Sequence, residues 1–187
     1  MCMQTKTFSN FKTYHPLYFT NTTTKIAKNL LADIIVFMED KPKKAEELFL
    51  SGYNCAQSVF RAFCEDFGID FEVGLKMTSS MRGGMGRLRE VCGAVSSMFL
   101  LVGLKCGYIE NNNDEIKAKH YKLIQDLADE FKNKFGSILC RDLIGEDKNG
   151  FTPEKRTEEY YKKRPCVEFI KYAANLTEKI INEKAPN

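Results

Sequence analysis

Glu90–Lys105, read as EVCGAVSSMFLLVGLK, decides the fold. It is the most apolar segment of the chain, it is followed by Gly107 as a natural helix stop, and it shows no period-two alternation. Its longest apolar run, Val95–Val102, is interrupted by Ser96 and Ser97 and falls well short of the ~18 residues of a membrane span. It opens on small residues, Cys92-Gly93-Ala94 and then Ser96-Ser97, which let a second backbone or a cofactor come close.

Helical patterns lie on either side of it. Pro42 suits a first helical turn, and Ala45, Leu48 and Phe49 share a face before Gly52. Asn54 is placed to cap the next helix, where Cys55, Val59, Phe60, Phe63 and Phe67 recur at helical spacing up to Gly68. Asp70 caps a shorter segment reaching Met81. Downstream, Asp114 caps a long amphipathic helix with Ile116, Tyr121, Ile124, Leu127, Ala128 and Phe131 on its inner stripe, ended by Gly136. Ser137 caps a short turn carrying Cys140, and Thr152-Pro153-Glu154 starts a further helix. Arg164-Pro165 breaks that helix and opens the last one, with Cys166, Phe169, Ile170, Ala173 and Ala174 along it. The expectation is an all-α, compact bundle of five to seven helices with no significant β-sheet.

A chain of 187 residues that is 43% apolar and 28% charged suits one globular domain with a full core. The charge divides it. Residues 1–37 carry Lys6, Lys12, Lys25 and Lys28 against Asp33 alone, so the whole formal charge of +3 lies there and the remainder is balanced. A balanced main domain offers no electrostatic footprint for nucleic acid. Residues 1–37 read as an N-terminal extension: either the natural start is Met38, or the segment is loosely attached. Within it, Ile26–Met38 is apolar enough for a helix. Residues 38–187 read as the single helical domain.

Seven cysteines are many for a chain without a secretory signal at Met1–Lys12, and the odd number prevents complete internal pairing. A cytoplasmic setting follows, where cysteines serve metal or redox chemistry more often than structural bridges. Cys64, between Phe63 and Phe67, and Cys106, at the end of an apolar helix, read as small hydrophobes. Cys55, Cys92, Cys140 and Cys166 differ, because each stands where a helix begins. Unpaired N–H groups and the positive helix end stabilise a thiolate there. Their spacings of 37, 48 and 26 residues match no standard zinc or ferredoxin pattern, and there is no Cys-x-x-Cys pair.

Between two of these cysteines runs Arg82-Gly83-Gly84-Met85-Gly86-Arg87. With no strand before it, this is not a dinucleotide fingerprint. Two readings stand: a tight connection that needs positive φ, or a nest of N–H groups for an anion or for cluster sulfurs. Arg82, Arg87 and Arg89 flank the loop and can meet an anionic ligand or a partner's carboxylates. His15 and His120 have no companion ligands in sequence, and His120 reads as a surface residue.

The order Gly52-Tyr53-Asn54-Cys55-Ala56-Gln57, Gly83-Gly84-Met85-Gly86-Arg87, Cys92-Gly93-Ala94, Cys140-Arg141-Asp142-Leu143 and Cys166 closely resembles the C_GCAxxG_C_C family, named for its motif and described as redox-active. The likeness spans residues 38–185. It implies that Cys55, Cys92, Cys140 and Cys166 are the family's defining cysteines. One departure is Ser97, where the family pattern has glycine; it adds a small side chain to a crowded helix and is expected to tighten the site rather than abolish it.

The leading expectation is electron transfer through an iron–sulfur cluster with Cys55, Cys92, Cys140 and Cys166 as metal ligands, and Gly83, Gly84, Gly86, Arg87 and Gly93 around the cofactor. One alternative is a metal-free dithiol–disulfide oxidoreductase using Cys55 and Cys92. Another is a structural zinc module with the four cysteines as its ligands. The expected partners are a redox protein of unstated identity and a second copy of the chain as a homodimer, with no nucleic acid and no membrane.

Overall fold

The computed structural model describes residues 40–145 and 150–183. The extension at 1–37 and the helix expected over Ile26–Met38 lie outside the described residues. From Lys41 onward the described chain forms one unit.

Eight α-helices occur among the described residues: α1 Lys41–Leu50, α2 Cys55–Ala62, α3 Phe71–Ser79, α4 Gly93–Cys106, α5 Asp114–Phe135, α6 Cys140–Ile144, α7 Glu158–Lys163 and α8 Cys166–Asn182. No strand is present among them; one isolated antiparallel bridge joins Val91 and Leu139. The all-α expectation holds, but the eight described helices exceed the five to seven expected, because the turns at Cys140 and Glu158 each form a short helix. Two of the helices, α6 and α7, are single short turns of 5 and 6 residues.

Helix α4 is the hub. It packs on α2, α5 and α8, while α1 packs on α2 and α8, so α1, α2, α4 and α8 form the body of the bundle. Gly93 through Met98, with Leu101 and Val102, are buried on α4, which is why its sequence shows no polar face. Phe49, Phe60, Phe63, Phe131, Ile170 and Leu176 from the surrounding helices complete the core.

Local signals set most boundaries. Asn54 accepts from Ala56 N at 2.9 Å and Gln57 N at 3.0 Å, and Gln57 Oε1 accepts from Asn54 N at 3.1 Å, a full capping box. Asp70 caps α3 through Val73 N. Gly136 closes α5 at φ 88°. Three boundaries differ from expectation. Asn113, not Asp114, caps α5, because its side chain accepts from Ile116 N while Asp114 is already the first helical residue. The helix expected at Thr152-Pro153-Glu154 starts later, at Glu158, where the Thr157 hydroxyl accepts from Tyr160 N. The helix expected to run through Phe67 ends at Ala62 and continues as a 3₁₀ turn, Glu65–Phe67, which closes on Gly68 at φ 62°.

Candidate functional site

Each of the four flagged cysteines stands at a helix start. Cys55 is the first residue of α2, Cys92 caps α4, Cys140 is the first residue of α6, and Cys166 follows Pro165 as the first residue of α8. All four carry free thiols and line one cavity of about 40 Å³. That volume exceeds the ~10–15 Å³ that admits a single water.

One local cap and one long-range bridge aim them there. The capping box orients the first turn of α2 and with it Cys55. Cys92 and Cys140 are set by the Val91–Leu139 bridge: Cys92 N donates to Ile138 O at 2.8 Å, and Cys140 N donates to Glu90 O at 2.7 Å. Ser137 braces the same stretch, accepting from Leu139 N and donating to Asp142 Oδ2 at 2.7 Å. It therefore holds the turn before α6 without being its N-cap, which is Leu139.

The glycine loop lies behind the thiols. Gly83, Gly84, Met85, Gly86, Arg87 and Arg89 all have positive φ, from 57° to 73°. The tight-connection reading therefore holds for all three loop glycines. The loop is closed by bonds from Gly86 N to Ser80 O at 2.6 Å and from Arg87 N to Arg82 O at 3.0 Å. Three non-glycine residues in the left-handed region are costly, about 1–2 kcal/mol each. Gly83 and Arg87 line the cavity. Gly84, Gly86 and Gly93 do not line it; Gly84 and Gly93 make room for the cysteines instead. A Cβ on Gly84 would stand 2.8 Å from Cys140 Cβ and 2.5 Å from Glu90 O. On Gly93 it would stand 2.6 Å from Cys55 Sγ and 2.8 Å from Met81 O.

Cations surround the thiols. Arg82, Arg87, Arg89, Arg156 and Arg164 line the cavity, with Glu154 as its carboxylate. Arg164 pairs with Glu154. Arg89 Nη1 lies 3.6 Å from Cys140 Sγ. Arg87 Nε donates to Gly150 O at 2.6 Å. Arg156 Nη1 donates to Phe49 O at 3.1 Å, and its guanidinium lies over the Phe49 ring. The lining residues Glu154, Arg156, Tyr160 and Arg164 escaped the sequence reading. The clue available was Arg164, two residues before Cys166.

Burial outweighs the helix ends in setting the thiols' charge. Desolvation pushes Cys92 well up, and the neighbouring Cys55, Cys140 and Cys166 add to it, while the Ala94 N–H opposes it. Burial likewise raises Cys140 against the hydrogen bond and charge of Arg89. Cys166 rises from 9.0 to about 12, through burial first and the charge of Cys55 second, with Arg164 opposing. Three of the four thiols, Cys92, Cys140 and Cys166, are thus pushed toward keeping their protons, even with arginines in the lining. Cys55 acts on each of the other three, so it is the common neighbour.

Cys64 is buried, and its thiol donates to Phe60 O, as expected of a packing residue. His120 stands edge-on to Tyr108 in a separate groove, half-buried and not at the thiol cavity. Ser97 is buried, and its hydroxyl donates to Ala56 O at 2.8 Å, joining α4 to the first turn of α2 beside Cys55.

The helical bundle thus delivers four free thiols to one arginine-lined cavity. A family model described as "Putative redox-active protein (C_GCAxxG_C_C)" matches residues 53–180, and the chain belongs to that family. No curated protein and no solved structure matches the chain. Among the described residues, no helix is long and apolar enough to cross a membrane.

Proposed function

We propose that Cys55, Cys92, Cys140 and Cys166 hold an iron–sulfur cluster and that the protein transfers single electrons through it. The observation carrying this reading is the shared cavity: four thiols separated by 26 to 48 residues line one space together with five arginines. Four cysteines are the usual ligand set of [2Fe–2S] and [4Fe–4S] centres, and such a cluster supplies a one-electron couple when bound.

Among the described residues, no three Cys, His, Asp or Glu groups stand close enough to hold one metal ion. Tetrahedral zinc would need its sulfurs roughly 3.8 Å apart, given Zn–S bonds near 2.3 Å. A cluster brings its own sulfides and so joins thiols that are farther apart.

The chain's own residues then have three tasks. Each thiol would give up a proton to become a ligand, and burial makes that release unfavourable for Cys92, Cys140 and Cys166 without a metal to bind the thiolate. The guanidinium groups of Arg89 and Arg164 ease the release at Cys140 and Cys166. Phe49, Leu143, Ile144 and Phe169 form the apolar part of the lining and keep water back.

Anaerobic reconstitution with ferrous iron and sulfide tests the reading. The wild-type chain should bind both and turn brown, and Cys92→Ala should not. A colourless wild-type product without iron would refute it.

A further inference from the structure

Arg89 combines three features that rarely coincide. Its backbone has φ 63°, where a non-glycine residue costs about 1–2 kcal/mol. Its side chain is buried, only 8% exposed. Its guanidinium places Nη1 3.6 Å from Cys140 Sγ, the distance of an N–H···S hydrogen bond.

The main chain fixes that reach. Arg89 N donates to Gly83 O at 3.3 Å, and Arg89 O accepts from Arg141 N at 3.2 Å. The residue is thus clamped between the glycine loop and the start of α6. Glycine would satisfy this backbone without strain. The chain instead keeps a long cationic side chain there and aims it at a sulfur.

Building on the proposed cluster, we infer that Arg89 is a positioning residue that tunes the Cys140 sulfur as a ligand. Its N–H donation draws electron density from that sulfur. Adding one electron to the centre raises the negative charge on the ligand sulfurs and so strengthens this bond. The reduced state gains more than the oxidised one, and the potential rises. Hydrogen bonds to ligand sulfurs are among the established determinants of cluster potential. The electron is supplied by a one-electron reductant of lower potential; in the test that reductant is dithionite with mediator dyes.

The experiment is an anaerobic redox titration of reconstituted wild type, Arg89→Met, Arg89→Lys and Arg141→Gln. Arg89→Met should keep the cluster spectrum but lower the potential. At the wild-type midpoint its reduced-to-oxidised ratio should fall about tenfold, which is 59 mV for a one-electron couple. Arg89→Lys should recover part of that loss, since it keeps the charge without the planar fork. Arg141, exposed and paired with Glu90, serves as the control, and its substitution should leave the potential in place. An unchanged potential in Arg89→Met overturns the inference and leaves the cluster reading standing. If Arg89→Met does not fold, the Arg89→Lys shift alone decides.

Failure of the cluster reading is distinguishable, because wild type would then load no iron. In that event the inference falls with it, whereas a loaded wild type with an unshifted Arg89→Met removes the inference alone.

Discussion

Gly93 and Gly103 lie on the same helix, α4, yet alanine at the two positions should act in opposite directions. Alanine is favoured over glycine inside a helix by up to about 1 kcal/mol. At Gly103 nothing lies within 4 Å of the added methyl, so that preference is expressed freely. At Gly93 the methyl would meet Cys55 Sγ at 2.6 Å, Met81 O at 2.8 Å and Ala56 Cβ at 3.2 Å. Met81 O is backbone and cannot rotate away. Ordinary contact requires a relative shift of roughly 1 Å, and overpacking of this kind costs about 1–3 kcal/mol. Net of the helix preference, Gly93→Ala should lose about 1–2 kcal/mol. For a domain of this size, that lowers the melting temperature by roughly 2–8 °C, while Gly103→Ala should raise it by about 2–4 °C. Thermal denaturation by circular dichroism reads both. The same displacement moves Cys55 relative to Cys92, so iron loading of Gly93→Ala should fall, and that of Gly103→Ala should not. A Gly93→Ala protein that melts at or above wild type and loads fully would refute the close approach of α4 to Cys55.

Other consequences are equally accessible. Asn54→Ala removes the acceptor for two N–H groups of α2 and should cost about 1 kcal/mol, read from the urea midpoint; an unchanged midpoint would show the cap to be idle. Ser97→Ala deletes a buried hydrogen bond to Ala56 O and should also cost about 1 kcal/mol, seen as a lower melting temperature. The pH dependence of the reduced, metal-free chain follows from Cys166, whose thiol is pushed from 9.0 to about 12. The folded chain keeps a proton that the unfolded chain has lost, so stability is full below pH ~9 and falls above it by up to about 1.4 kcal/mol per pH unit. Between pH 8 and 10.5, Cys166→Ala should decline less steeply than wild type; parallel declines would contradict the burial of that thiol.

Much of this was legible from local chemistry. Asn54, Asp70, Gly136 and Pro165 announced their boundaries because caps and stops act within a few residues. The same locality placed all four cysteines at helix starts. What the sequence could not supply was long-range. The Val91–Leu139 bridge that aims Cys92 and Cys140 is a single pairing across 48 positions, too short to leave any alternation. Arg156 and Tyr160 reach the thiols only because the chain after Gly150 returns to the cavity. Electrostatics misled in one respect: helix starts suggested thiolates, but desolvation dominates at Cys92, Cys140 and Cys166.

The account's central claim is that Cys55, Cys92, Cys140 and Cys166 act together on one iron–sulfur centre. X-ray absorption at the iron edge of the anaerobically loaded protein tests it most directly. The account predicts a first shell made of sulfur alone, which loses sulfur when any one of the four cysteines is replaced by serine. A shell dominated by oxygen or nitrogen, or one indifferent to those substitutions, would contradict it.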